Sequence, residues 1–182
     1  MIANADASVA SIRRLEVPNV SAYRELMLEA YALHPDAFTS SVSERAVLPI
    51  SWWESRLSAE PDTTEIVLGA FDAEDLVGVA GLSFERREKA RHKATLFGMY
   101  VPSAQRHKGF GRSLVLSALE QARQRRGTRL VQLTVTDGNK VARSLYERCG
   151  FVQFGLEPLA VAVEDRFVSK VHMWCDLEGA TA

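Results

Sequence analysis

Apolar residues alternate between strand-like runs and helix-like spacing through the middle of the chain. An apolar run at 94–101 predicts a buried strand, and a second run at 130–135, rich in branched side chains, predicts another. Between them, apolar residues recur at helical spacing over 110–122, which predicts an amphipathic helix. The pattern therefore predicts strand, short loop, helix and strand in succession.

A second helix and a closing group of strands follow. Apolar residues recur every three to four positions in 140–148, and Gly150 suits the end of that helix. A strand then opens at 151–154, and 159–163 and 167–175 are predicted to form a final antiparallel pair. The last strand has imperfect alternation: Phe167, Val171, Met173 and Cys175 on one face, interrupted by Ser169, and Lys170, His172 and Trp174 on the other.

The first part of the chain is rich in predicted helix. One apolar face runs through 20–33, and Pro49 begins a second helix that carries two adjacent tryptophans. Two strands then form a hairpin through a short acidic loop. The predicted elements here are a strand at 12–15, helices at 20–33 and 49–57, and strands at 66–71 and 76–84.

This order of elements predicts an α/β fold, with one mixed sheet flanked by helices. A length of 182 residues suits one domain, predicted at 11–178, after a flexible tail at 1–10. The hydrophobic content of 47% and charged content of 25% are those of an ordinary soluble globular protein.

Charge and cysteine content narrow the class of function. A net charge of −1 gives no reason to expect nucleic acid or an anionic membrane as a partner. The sequence shows neither a membrane-spanning run nor a signal peptide, and its two cysteines predict a reduced, cytoplasmic setting. The four histidines are scattered, so no metal site is expected.

The loop between the first buried strand and its helix contains the pattern Arg106-x-x-Gly109-x-Gly111. Glycines at a helix start let a ligand approach the backbone, and the unpaired amides of the first turn bind phosphate. Neither the phosphate loop of nucleotide hydrolases nor the dinucleotide fingerprint matches this spacing. On its own, the pattern equally suits a basic helix cap on the surface.

The spacing resembles the pyrophosphate arm of the GNAT N-acetyltransferase superfamily, which binds acetyl-CoA. Downstream, the segment Asn139-x-x-Ala142-x-x-Leu145-Tyr146-x-x-x-Gly150-Phe151 is similar to the second half of the family's coenzyme site. Two motifs in this order, on a strand-helix-strand-helix-strand frame, are far more specific than either alone. The resemblance covers residues 66–174.

The resemblance implies the GNAT acyl-CoA N-acyltransferase fold: a mixed, mostly antiparallel sheet whose central strands splay apart around the pantetheine arm. Met99, Tyr100 and Val101 would present backbone groups to that arm. The pyrophosphate would lie against the amides of the glycine loop. The implied coenzyme-binding residues are Met99, Tyr100, Val101, Arg106, His107, Lys108, Gly109, Phe110, Gly111, Arg112, Asn139 and Tyr146, and no metal is implied.

Two of these residues have a second interpretation. Asn139 suits a helix cap without any ligand, and Tyr146 suits the core of a helix packed on the sheet. The resemblance implies that Asn139 touches the pantetheine and that Tyr146 is the catalytic acid for the leaving thiolate.

The central strand offers Thr95 and no carboxylate as a base. Glu85 and His92 are the nearest candidates, but a solvated loop is favoured for both, and no base is assigned.

The front half of the chain is expected to bind the acceptor. Its aromatic residues also suit the core, and the basic turn at 85–93 suits a solvated hairpin better than a site for an acidic substrate. The resemblance implies acetyl transfer to a primary amine by direct attack, and the near-neutral net charge and the aromatic front half favour a small molecule as acceptor. A protein N-terminus or lysine remains an alternative acceptor, as does a non-catalytic acyl-CoA sensor, and a homodimer stays open. The aromatic residues are Tyr23, Tyr31, Phe38, Trp52 and Trp53.

Overall fold

The computed structural model of the chain describes residues 11–179, so the predicted tail at 1–10 lies outside the described residues. The strands are β1 (Ser11–Arg14), β2 (Glu65–Asp72), β3 (Asp75–Phe84), β4 (Lys93–Tyr100), β5 (Leu130–Thr136), β6 (Val152–Val163) and β7 (Arg166–Asp176). The helices are α1 (Val20–Leu33), α2 (Val42–Ala46), α3 (Ile50–Ser55), α4 (Phe110–Gln124) and α5 (Lys140–Arg148).

Seven strands in this part of the chain form one sheet, in the order β1-β2-β3-β4-β5-β7-β6. Neighbouring strands pair antiparallel, except that β4 and β5 run parallel. One hydrophobic core lies between the sheet and the amphipathic helix α4, with α5 beside it. The other lies on the opposite side, under α1 and α3. The predicted α/β class, with a mixed and mostly antiparallel sheet flanked by helices, is confirmed.

The sheet opens between its two parallel strands. Lys93–Thr95 of β4 pairs with Leu130–Gln132 of β5, and the ladder ends there. Along its other edge β4 has a bulge, because Gly81 faces Phe97 whereas Val79 faces Tyr100. The bulge contains Gly98, whose φ of +56° is a conformation that favours glycine. Beyond Thr95, therefore, β4 bends away from β5 and leaves a gap in the middle of the sheet.

Two details of the predicted closing strands were wrong. The strands predicted at 151–154 and 159–163 are one strand, β6, at the edge of the sheet, with bulges after Gln153 and Glu157. Pro158 lacks a backbone donor and looks like a break in the sequence, but an edge strand tolerates proline at a bulge. On β7, Phe167 is 62% exposed, whereas Lys170, predicted on the opposite face, is only 5% exposed.

Helix α2 was not predicted. It begins with a capping box, in which the Glu44 amide donates to Ser41 Oγ (3.2 Å) and the Ser41 amide donates to Glu44 Oε2 (2.8 Å). The pattern Ser41-Val-Ser-Glu44 is the local signal that could have found it.

Within residues 11–179, no helix is long and apolar enough to cross a membrane.

Candidate active site

The gap between β4 and β5 continues into a cavity of about 450 Å³. Asn139, Ala142 and Tyr146 line it from the side of α5, whereas Tyr23 and Tyr31 line it from the side of α1. Because the two helices lie on opposite faces of the sheet, the cavity crosses the sheet. Two molecules that enter from opposite faces can therefore meet inside it.

At the end of β4, the loop to α4 forms a backbone concavity suited to an anion. His107 has a φ of +65° and Gly109, the N-cap of α4, has a φ of +87°. The amides of Phe110, Gly111 and Arg112 have no acceptor within the helix, and the cap residue brings no side chain to satisfy them. A Cβ added to Gly109 would meet nothing within 4 Å. Amides at left-handed and helix-start positions bind phosphate, so this loop fits a diphosphate.

The basic side chains of the loop mostly support the loop itself. Arg106 donates from Nε to the Val101 carbonyl (3.0 Å) and lies 3.2 Å from His34 Nε2 through Nη2. Lys108 donates to Gln105 Oε1 (2.8 Å). Arg112 is exposed on the first turn of α4. In this candidate phosphate site, therefore, the backbone amides rather than these side chains are the groups available to bind phosphate.

The three residues predicted to face the pantetheine arm lie differently. Met99 lines the cavity, but Tyr100 and Val101 are not among its lining residues. Tyr100 is buried under α1, pairs with Val79 of β3 and donates its hydroxyl to Glu29 Oε1 (2.8 Å). Phe110, predicted with the loop, is buried in the core and offers only its backbone.

Asn139 is a helix cap and also lines the cavity, so the cap is confirmed and contact with the pantetheine stays a prediction. Its Oδ1 accepts from the Ala142 amide (3.1 Å) at the start of α5. Two turns after Asn139, Tyr146 is 9% exposed, and its ring packs edge-on against Phe151 at 5.9 Å. Tyr146 lines the cavity, and its hydroxyl donates to Met99 Sδ at 3.5 Å. Burial raises the pKa of Tyr146 to about 12, so the phenol keeps its proton at neutral pH.

All four tyrosines of the chain have a raised pKa, chiefly through burial, and this predicts a steep loss of stability at high pH. For Tyr23 and Tyr146, a pKa raised from 10.0 to about 12 stabilises the fold below pH 10, and that contribution is lost as the pH rises toward 12. Ionisation of either phenol at high pH therefore costs the fold about 3 kcal/mol. We expect tyrosinate absorbance to appear together with unfolding above pH 10. A tyrosinate titration near pH 10 in the folded protein would contradict the burial.

On the side of α1, Tyr23, Tyr31 and Phe38 line the cavity, and acceptor binding by these residues stays a prediction. Trp53 is fully buried beneath them, and Trp52 packs edge-on against it at 5.1 Å. Two residues that the sequence did not single out, Arg45 after the first turn of α2 and Arg56 at the end of α3, also line the cavity.

Neither base candidate from the sequence lies at this cavity. Glu85 lines a separate pocket of about 360 Å³, where hydrogen bonds from Arg87 lower its pKa to about 2. His92 lies in the turn before β4, where its carbonyl accepts from the amides of Arg129 and Leu130. The cavity instead contains His172 of β7, whose Nε2 lies 2.9 Å from Glu157 Oε2. The register that pairs His172 with Thr134 of β5 brings it there, and no local pattern signals this.

A buried lysine fixes the loop that borders the acceptor side. Lys170 Nζ donates to the carbonyls of Asp36 (3.0 Å) and Ala37 (2.9 Å) and to Thr136 Oγ1 (2.9 Å), so all three of its N–H groups are used. Thr136 Oγ1 in turn donates to the Asp36 carbonyl (2.7 Å). Burial lowers the pKa of Lys170, and the Asp36 carboxylate opposes that effect. These hydrogen bonds of Lys170 and Thr136 form a clamp that holds the loop after α1 against β5 and β7. The same loop continues to Phe38, which lines the cavity.

Replacement of Lys170 by methionine should release this loop. Two carbonyls and one hydroxyl would lose their donor, and each such buried group costs ~1–3 kcal/mol when it is left unpaired. We expect the free energy of unfolding to fall by ~2–3 kcal/mol and proteolysis to begin within 36–41. Lys89→Met, in an exposed turn, is the control and should change neither. Equal stability of the two variants would show that Lys170 is not a clamp.

Within residues 11–179, no group of three His, Cys, Asp or Glu side chains could hold a metal ion, and Cys149 and Cys175 are both free and buried.

Comparisons with known proteins agree with this geometry. Residues 24–151 match the model of the acetyltransferase (GNAT) family, and no curated protein sequence matches the chain. Among solved structures, an acetyltransferase of the GNAT family from Streptococcus pneumoniae is 24% identical over 92% of this chain and 99% of that chain, with a TM-score of 0.82. The yncA protein of Salmonella typhimurium, solved with its cofactor acetyl-CoA, is 22% identical over 96% and 98%, with a TM-score of 0.77. Ribosomal-protein-alanine N-acetyltransferase from Brucella melitensis is 24% identical over 91% and 99%, with a TM-score of 0.74. At these identities the solved structures show a shared fold.

Proposed function

The chain belongs to the GNAT acetyltransferase family, and from this premise we propose that it transfers the acetyl group of acetyl-CoA to a primary amine of a small molecule. The observation that carries the proposal is the cavity that crosses the sheet between β4 and β5. One mouth lies beside Tyr146 and Asn139, and the other is bordered by aromatic residues and by the loop that Lys170 holds.

The residues present fit the coenzyme. The amides from His107 to Arg112 would hold the pyrophosphate, and the inner edge of β4 near Met99 would pair with the pantetheine arm. Bound acetyl-CoA supplies an acyl group activated as a thioester. Tyr146 would donate a hydrogen bond to the thioester sulfur, in place of its present weak bond to Met99 Sδ.

A cavity of about 450 Å³ is the size of a small-molecule site, which favours a metabolite-sized acceptor over a protein. For its location we propose the cytoplasm, supported by two cysteines that are both buried and free.

The acceptor amine must lose a proton, and we propose that His172 is the base that accepts it. It lines the cavity, and the Glu157 carboxylate fixes the orientation of its ring, as expected of a positioned base. An amine of pKa ~8 is only about one-tenth deprotonated at pH 7, so a base can gain at most roughly tenfold there.

We therefore expect His172→Gln to lower turnover roughly tenfold at pH 7 with an amine of pKa ~8, and this loss to disappear near pH 9, where the amine is already free. Turnover as a function of pH measures it. Glu157→Gln should show the same trend more weakly, because only the orientation of the ring is affected. A loss that is equal at pH 7 and pH 9 would exclude the role of base.

Two measurements test the function itself. Calorimetry should show that acetyl-CoA binds and that neither NAD nor ATP competes with it, because the loop matches neither nucleotide fingerprint. Release of coenzyme A should then depend on an amine. Tighter binding of ATP than of acetyl-CoA would exclude the coenzyme site, and binding without transfer to any amine would favour an acyl-CoA sensor.

A further inference from the structure

Two guanidinium groups face the acceptor side of the cavity. Arg45 stacks on Trp52 at 4.6 Å from the ring centroid, and Arg56 stacks on the same ring at 4.7 Å. Arg56 also lies 5.2 Å from the ring centroid of Phe97, which lines the cavity at β4. Stacking fixes the plane of a guanidinium while it leaves the N–H edge free for a planar or tetrahedral anion.

The charge of these arginines is only partly compensated. Arg56 Nη2 lies 3.3 Å from Glu65 Oε2. Arg45 donates from Nη2 to Ser40 Oγ (2.7 Å), and within residues 11–179 it has no ion-pair partner. Its Nε is buried without a hydrogen-bond partner. A buried donor left unpaired in the protein alone costs free energy, and a bound acceptor group would remove that cost.

The described residues that line the cavity include no aspartate or glutamate. A simple amine or polyamine arrives as a cation, and a wall with two arginines, of which only Arg56 is paired with a carboxylate, disfavours it. The same wall attracts an anion. The two phenols beside these arginines, Tyr23 and Tyr31, can add neutral hydrogen-bond donors.

We propose that the acceptor is a primary amine that also carries an anionic group, a carboxylate or a phosphonate, and that Arg45 and Arg56 bind this group while the amine points into the gap between β4 and β5. The inference rests on the proposed acetyltransferase function and names its substrate class. Arg45 and Arg56 are then specificity-determining residues. They hold the acceptor and do not take part in the transfer.

Matched acceptors test the proposal on the unmodified protein. Each protein amino acid is compared with its amide, and aminomethylphosphonate with methylamine, by release of coenzyme A from acetyl-CoA. Conversion of the carboxylate to an amide lowers the pKa of the neighbouring ammonium, so without recognition the amino-acid amide is the more reactive of its pair. We expect the opposite order, with kcat/KM at least tenfold higher for the anionic member of the best pair. The amino acids and the phosphonate distinguish the two kinds of anion.

Variants then assign the recognition to the arginines. Arg45→Gln should remove the preference for the anionic member, chiefly by raising its KM, and Arg45→Lys should restore part of it because the charge returns without the fork. Arg13→Gln is the control, since Arg13 also stacks on an aromatic ring, Phe71 at 3.8 Å, but does not line the cavity. It should leave the preference unchanged.

The outcomes separate this inference from the function on which it rests. Failure to bind or use acetyl-CoA would remove the proposed function. If acetyl-CoA binds, the inference is overturned by faster reaction of the neutral member in every pair, by failure of every anionic amine, or by an unchanged preference in a folded Arg45→Gln protein.

Discussion

Gly109→Asp should weaken acetyl-CoA binding about 10³-fold while the protein stays folded. The added carboxylate would lie at the cap of α4, where the loop amides face the expected pyrophosphate. Two unit charges 4 Å apart repel by ~4 kcal/mol at the effective dielectric constant of a protein surface, which corresponds to this loss of affinity. A Cβ at Gly109 meets no atom within 4 Å, so the cost to the fold is chiefly that of placing a side chain at a φ of +87°.

Gly109→Asn is the matched control. Asparagine and aspartate have the same shape, and both tolerate the positive φ of this position better than other residues do. The two variants should therefore melt at the same temperature. We expect the asparagine variant to lose only about tenfold in affinity, so that calorimetry on the pair isolates the charge. Equal affinities for the two variants would mean that the phosphates lie elsewhere. Gly111 is a poorer choice, since an added Cβ there meets Leu145 Cδ2 at 3.3 Å.

Tyr146→Phe should lower turnover about 100-fold with little change in coenzyme affinity or melting temperature. The ring keeps its packing against Phe151, and only a weak bond to Met99 Sδ is lost. A proton moves from a phenol of pKa about 12 to a thiolate of pKa ~8.5 at a cost of ~5 kcal/mol. We therefore expect the hydroxyl to stabilise the leaving sulfur as a hydrogen-bond donor, and loss of one positioned donor costs ~10²–10³ in turnover.

Tyr31→Phe is the comparison, because it removes a hydroxyl from the opposite wall of the same cavity, beside Arg45. There the loss should appear in KM for the acceptor rather than in turnover with saturating acceptor. Single-turnover kinetics and thermal melting on both variants distinguish the two roles. A Tyr146→Phe protein with full turnover would remove this residue from the mechanism.

The sequence predicted most accurately those elements whose bounds are determined by residues within or next to the element. The bounds of α5 agree at both ends, because its cap Asn139 and its stop near Gly150 are signals within the segment. The strand, loop and start of α4 were equally well predicted, since hydrophobic spacing and the two glycines determine them. Helix α2 was missed although its capping box is local too, because five residues are too few for a periodic pattern.

The acceptor side could not be predicted in the same way. Arg45 and Arg56 reach the cavity because the short helices α2 and α3 pack against α1. The register of β7 against β5, and its bulged pairing with β6, determine which residues surround His172 and Lys170. A lysine in an alternating strand looks solvent-exposed, but its acceptors come from Thr136 on β5 and from a loop 133 residues earlier in the chain, at Ala37.

Because only three residues of β4 pair with β5, we expect the abundance of this protein to depend on its cosubstrate. Beyond Thr95, the inner edges of both strands carry backbone groups without a ladder partner, and exposed strand edges invite pairing with other chains. A ligand that binds only the folded protein stabilises it by ~2.7 kcal/mol at a concentration 100 times its Kd. In a cell whose acetyl-CoA supply falls, we expect faster clearance by proteases, which pulse-chase measurement of the protein's half-life would detect.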